Sequence, residues 1–230
     1  MDLKGLTNNQ LKMIAVVSMT VDHIGHILFP QILWLRMIGR LAFPIFAYMI
    51  AQGCQHTRSM GKYFASMAGT AVLCQLVMYG MADSLYQTVL VTFSMSIGLI
   101  WLLQKLKKEQ SFLWALMTVL GCAGVYVVCN VLPEVLWHTD YSVDYGLVGV
   151  LIPVIVYLAG TKTRQLVVLA LGLVALALDP YVWEGQWLAL LSVLLLALYN
   201  GQRGKWKLKW FFYLYFPLHT AILHGLAWLL

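Results

Sequence analysis

Charge is what this sequence has least of. Nine acidic and fifteen basic side chains carry all the formal charge in 230 residues, while 61% of the chain is hydrophobic. An ordinary soluble domain carries about a quarter of its residues as charges, so this composition excludes one and predicts a polytopic membrane protein. Cysteine is scarce too. Cys54, Cys74, Cys122 and Cys129 lie in or beside apolar segments without paired ligand spacing; that argues against a disulfide framework or a metal site and predicts buried small hydrophobes. There is no internal repeat, no low-complexity tract and no loop long enough to fold alone, so a single transmembrane domain over 1–230 is expected. The opening "MDLKGLTNNQLKM" has no short apolar core followed by a cleavage site, and the first apolar segment is expected to remain as a span.

What is present is a series of apolar runs. Their limits predict an all-α bundle of about nine transmembrane helices, near 11–30, 31–52, 64–81, 86–103, 112–132, 145–160, 165–179, 187–199 and 210–230. Each is set against a hydrocarbon core of about 30 Å. The seventh and eighth are short, and a re-entrant pair around "DPYVWEGQ" is the alternative. A cytoplasmic N-terminus puts Lys4, Lys12, Arg58, Lys62, Lys105, Lys107, Lys108, Lys162, Arg164, Arg203, Lys205, Lys207 and Lys209 inside. The outside loops then hold Asp83, Glu134, Asp140, Asp144, Asp179 and Glu184 and no base. That bias follows the positive-inside rule, so the net charge of +6 reports orientation, not nucleic-acid binding.

Arg36 and Arg40 fall outside this pattern, within the second span. A charged side chain at mid-membrane costs roughly 2.5–3.5 kcal/mol on insertion scales, so these residues and Asp22 need partners. Antiparallel pairing across the "FPQI" turn brings Asp22 and His23 level with them. Asp22, His23 and His26 share an arc of about 100° on a helix, and Arg36 and Arg40 are an i, i+4 pair. All five are expected to face one interior pocket. The simplest account of Asp22 with an Arg is an ion pair that locks the hairpin; for His23, an imidazole that titrates near neutrality suits proton transfer. In the last span, Tyr215 and His219 share a face around Pro217, with His219 near mid-depth. Packing is an equally good account of His219, and a core or interfacial aromatic is the plainer account of Tyr215. His224 reads as interfacial.

Two loops carry further candidates. "QGCQHTRSMGKY" gathers His56, Arg58, Lys62 and Tyr63 where a helix begins, chemistry suited to an anion, although any inside loop is basic. "HTDYSVDYG" presents Asp144 and Tyr145 before the sixth span, polar and aromatic chemistry suited to an acceptor entrance, with a solvated acidic loop as the default reading.

The runs "LKMIAVVSMTVDHIGHILFP", "LRMIGRLAFPIFAYMIAQGCQHTRSMGKYF" and "FFYLYFPLHTAILHGL" resemble the TraX family, associated with N-terminal acetylation of a conjugative pilin subunit. That family is in turn similar to membrane acyltransferases that use an intramembrane His and an acyl-coenzyme A donor. The resemblance implies an enzyme of a bacterial-type inner membrane that moves an acetyl group from cytoplasmic acetyl-CoA to an amine or hydroxyl at the outer face. Its implied general base is His23. Asp22, Arg36 and Arg40 would supply charge balance and oxyanion stabilisation, and His219 with Tyr215 the chamber wall. His56, Arg58, Lys62 and Tyr63 would hold the coenzyme, and His26, Tyr215, Asp144 and Tyr145 the acceptor. No metal is implied. The acceptor stays open among a peptide, a sugar and a small molecule, as do acyl length and oligomeric state. A proton-coupled transporter and a non-enzymatic assembly factor are the competing readings.

Overall fold

The computed structural model describes residues 5–179, 184–206 and 208–229. Among them the chain is helical, with two isolated bridges and no strand. The expected inside residues Lys4 and Lys207, and residues 180–183 of the "DPYVWEGQ" break, lie outside the described residues. The chain forms two compact units, Met1–Met49 with Ala159–Leu230, and Ile50–Leu158.

The first unit begins with α1 (Asn8–Ile27), three residues earlier than the apolar pattern suggests, because Thr7 and Gln10 form a reciprocal capping box. After the Leu28–Ile32 turn comes α2 (Leu33–Gly39), and after Arg40 and Leu41 the chain enters α3 (Ala42–His56). The second apolar run is therefore two helices, not one. Pro44 explains the break: it lacks the N–H that would bond the Arg40 carbonyl four residues earlier, and its ring crowds that carbonyl. The unit is completed by α9 (Lys162–Ala177), a 3₁₀ segment (Glu184–Leu190), α10 (Leu191–Ala197) and α11 (Lys209–Leu229), which stays helical through Pro217. Its core includes Leu11, Ala15, Leu169, Leu173 and Leu196, each fully buried. The N-terminal strap is tied to the far end of α10: Leu6 N–H donates to the Leu198 carbonyl at 2.8 Å and Asn200 N–H to the Leu6 carbonyl at 3.0 Å.

The second unit takes the rest of α3, then α4 (Met60–Ala82), α5 (Val89–Glu109), α6 (Phe112–Tyr126), a π-helical turn (Val127–Val131), α7 (Leu132–Val135) and α8 (Gly146–Leu158). Helix α5 packs on α4, α6 and α8. Ser96 on α5 donates to the Val150 carbonyl of α8 at 2.8 Å, a bond made where lipid offers no competing water.

Among the described residues, four helical stretches are long and apolar enough to cross a membrane: Leu33–His56, Met60–Ala82, Val89–Glu109 and Phe112–Val135. Their outer surfaces are apolar. Phe112 is 83% exposed, Leu76 and Val119 each 65%. Contiguous exposure of this kind suits lipid and would aggregate in water. The chain is thus a membrane-embedded helical bundle. Cys54, Cys74 and Cys129 are buried as expected; Cys122 is exposed on the apolar surface of α6, a correction that follows from how little of that helix is covered.

Candidate functional site

The polar residues of the opening hairpin meet at the α1–α2 contact. Close approach is possible because two glycines sit there. A Cβ on Gly25 would stand 2.6 Å from the Leu35 Cβ, and one on Gly39 would overlap the Asp22 side chain. Ser18 reinforces the seam by donating to the Ile38 carbonyl at 2.5 Å.

Asp22 is the hub of the charges. Its Oδ1 accepts from Arg36 Nε at 3.1 Å and from Arg40 Nη2 at 2.7 Å. The two guanidiniums are further oriented: Arg36 Nη1 lies 2.7 Å from His26 Nδ1, Arg40 Nε donates to the Arg36 carbonyl at 3.2 Å, and Arg40 Nη1 donates to Gln186 Oε1 at 3.3 Å. Because a guanidinium only donates, His26 Nδ1 must accept and carry no proton. The carboxylate–guanidinium cluster offsets the insertion cost of its members, and it also fixes α2 at its C-terminal end, where the helix breaks.

His23, next to Asp22 in sequence, points elsewhere on the helix, toward α11. Its Nδ1 lies 2.8 Å from His219 Nε2, and His219 Nδ1 lies 2.9 Å from the Tyr215 carbonyl. A carbonyl only accepts, so His219 Nδ1 carries a proton. In a neutral His219, Nε2 is then an acceptor, and His23 must donate from Nδ1. The lone pair of neutral His23 is left on Nε2. One backbone carbonyl thereby sets two tautomers in series.

Aromatic packing holds this relay. Tyr215 stacks on His219 with centroids 5.1 Å apart and planes 10° apart, and Phe216 meets the rings of both His219 and His23 edge-on. The Thr20 hydroxyl donates its only proton to the Val16 carbonyl at 2.7 Å, so the Tyr215 hydroxyl, 2.6 Å away, must donate to Thr20. His219 and Thr220 are buried; His224 is half-buried and on another face of α11.

The structure thus brings together Asp22, Arg36, Arg40 and His26 in one set, and His23, His219 and Tyr215 in a second one joined to it through α1. The expected single pocket for all five hairpin residues is resolved into these two directions, since adjacent helical positions diverge by about 100°. His26 lies at the exposed flank.

The remaining candidates are in the second unit. His56 closes α3, its Nδ1 donating to the Gln52 carbonyl at 2.8 Å; Arg58 and Lys62 are exposed, and Ser59 caps α4. Tyr63 is packed on Gly53, where a Cβ would stand 2.7 Å from its hydroxyl. Asp144 and Tyr145 are built into the turn before α8. Asp144 N–H donates to the Gln87 carbonyl at 2.9 Å, Thr92 donates to the Asp144 carbonyl at 2.7 Å, and Tyr145 has φ +60°. In the same loop, Asp140 accepts from the Ser84 hydroxyl and from Leu85 N–H, and these bonds hold its carboxyl below the usual carboxylate range.

Sequence reasoning passes over Gln186, Thr20 and Gly39. For Gln186 the only signal is one amide between a Gly and a Trp at the edge of an apolar run. Nothing local says that it is 1% exposed and bonded to Arg40.

With this geometry in place, likeness to known proteins becomes informative. The family profile described as TraX protein matches residues 7–227. The chain belongs to the TraX family. It is 24% identical over 243 aligned positions to a probable fimbrial assembly protein, FimC of serogroup H1, from Dichelobacter nodosus, with 93% of each chain covered. It is 26% identical over 171 positions to an uncharacterized protein of Rickettsia prowazekii (strain Madrid E), covering 70% of this chain and 59% of that protein's length. No solved structure matches it.

Proposed function

We propose that this TraX-family protein is a membrane-embedded acetyltransferase that carries an acetyl group from cytoplasmic acetyl-CoA to an amine or hydroxyl at the outer face. The observation that carries this reading is the fixed tautomer chain from the Tyr215 carbonyl through His219 to His23. It delivers an unprotonated imidazole nitrogen within a helical bundle, which is what a general base requires. His23 takes the acceptor's proton as it attacks the thioester. His219 accepts a hydrogen bond from the resulting imidazolium, and Asp22, one residue away, supplies negative potential. Arg36 and Arg40 balance Asp22 and add positive potential for the tetrahedral oxyanion. His56, Arg58, Lys62 and Tyr63 are assigned to the coenzyme by side-chain chemistry, since Arg and Lys match phosphate oxygens. His26, Tyr215, Asp144 and Tyr145 are assigned to the acceptor.

The fimbrial-assembly name of the Dichelobacter relative supports a pilin-type subunit as the acceptor. A non-catalytic assembly role draws on the same likeness, and the two separate experimentally. Nine crossings with a cytoplasmic N-terminus of an inner-membrane protein complete the proposal. Loop charge supports the orientation; the shorter helices α8, at 13 residues, and α9, at 16, would cross where the core is thinned or flanked by protein.

The test uses purified protein with acetyl-CoA. Donor should raise the unfolding temperature and be consumed with release of free thiol. His23→Ala should cut transfer by on the order of 10²–10⁴-fold with donor binding kept. Thiol release by the alanine variant at the wild-type rate would remove His23 as the base. Absence of binding at millimolar donor by folded protein would leave the assembly role in possession.

A further inference from the structure

Among the described residues, three buried side-chain polar atoms have no hydrogen-bond partner: Gln75 Oε1, Thr88 Oγ1 and Gln186 Nε2. The first is a carbonyl oxygen of an amide whose nitrogen already donates to the Ser84 carbonyl, and the second is a hydroxyl that can rotate. Gln186 is different. Its side chain is 1% exposed, and its amide cannot be turned over: Arg40 only donates, so the oxygen must face the guanidinium and the nitrogen must face away. What remains is a buried, oriented amide NH₂ with no acceptor, attached through Arg40 to Asp22, the residue that precedes His23 on α1.

A donor held in this way awaits an oxygen. In the acyltransfer reading, on which this inference rests, the reaction generates one: the thioester carbonyl, which becomes anionic on attack. Arg40 directs Nε, Nη1 and Nη2 to the Arg36 carbonyl, Gln186 and Asp22, so it anchors the amide and adds positive potential beside it. We propose that Gln186 Nε2–H receives the acyl carbonyl oxygen of the donor and holds it as the oxyanion forms, with Arg40 setting the direction of the amide. The acceptor's lone pair forms the bond to the carbonyl carbon while the C=O π electrons move to the oxygen on Gln186. His23 Nε2 takes the acceptor's proton. Collapse re-forms C=O, breaks the C–S bond and releases the coenzyme A thiolate, which takes the proton from His23.

The experiment compares acetyl-CoA with S-ethyl-coenzyme A, a thioether with CH₂ in place of the carbonyl, on full-length protein in detergent. Wild type should bind acetyl-CoA about tenfold more tightly than the thioether, the ratio one hydrogen bond supplies. Gln186→Met removes the donor; Gln186→Glu removes it while keeping an oxygen for Arg40. Both should bind the thioether as wild type does, lose the preference, and release thiol from acetyl-CoA on the order of 10²–10³-fold more slowly. Equal wild-type affinity for the two ligands, or wild-type thiol release by folded Gln186 variants, overturns the role of Gln186 while leaving donor binding intact. Binding of neither ligand by the wild type overturns the acyltransfer reading and this inference with it. The wild-type arm requires no variant, so a variant that fails to fold leaves the outcome decided.

Discussion

His23 is an imidazole whose protonation pattern is set two hydrogen bonds away, by the Tyr215 carbonyl on another helix. If the relay matters, disturbing its middle should alter chemistry without removing the base. His219→Phe keeps an aromatic body but deletes the acceptor of His23 Nδ1–H, so neutral His23 can adopt either tautomer. Acetyl transfer should fall, by less than in His23→Ala, and its pH profile should change while donor affinity holds. Tyr215→Phe, which loses the bond to Thr20, should cost about 0.5–1.5 kcal/mol of stability, read from thermal melts. Asp22 is harsher. Asp22→Asn leaves two guanidiniums without their shared carboxylate, and loss of one partner from such a set costs about 3–5 kcal/mol. Expression and melting temperature should both drop. These side chains were legible in the sequence as costly groups needing partners. The pairing of Asp22 with the arginines was legible from antiparallel register across the turn; the partner of His23 was not, because helical spacing sets direction but not which neighbouring helix lies in that direction.

At the scale of elements, the α1–α2 seam depends on missing side chains. Gly39→Ala would drive a methyl into Asp22, so α2 must move back. A destabilisation of about 1–3 kcal/mol is expected, together with a loss of transfer greater than stability explains, checked by comparing activity with the folded fraction. The break between α2 and α3 was written in the sequence as Pro44, four residues after Arg40, yet the unbroken apolar run hides it because hydropathy does not register a lost N–H. The loop bearing Asp140 offers a different test. Its folded carboxyl titrates below the ordinary value near 3.8, so its contribution is present above that pH and is lost as pH falls through the depressed folded value. Asp140→Asn should flatten the dependence of melting temperature on pH below about 4 and leave the neutral-pH curve with a small, pH-independent change.

For the whole molecule, lipid replaces water as the solvent of most helical surface, and orientation becomes a property of the loops. A Lys107→Cys variant should react with a membrane-impermeant maleimide in inverted vesicles and not in right-side-out ones. The native cysteines offer little background, since Cys54, Cys74 and Cys129 are buried and Cys122 lies on the apolar face of α6. Labelling of position 107 from the opposite side would reverse the assigned topology. Composition and loop charge alone settled that this chain is helical and membrane-embedded, because the bilayer penalises every unpaired backbone group and every stray charge regardless of how helices pack. Which polar groups meet beyond the hairpin was left to the tertiary fold. Hairpin register already pointed Asp22 at the arginines, but His23 reaching across to His219 and Gln186 meeting Arg40 from 146 residues away are long-range contacts, specified by the packing of glycine seams and aromatic faces and not by any local period.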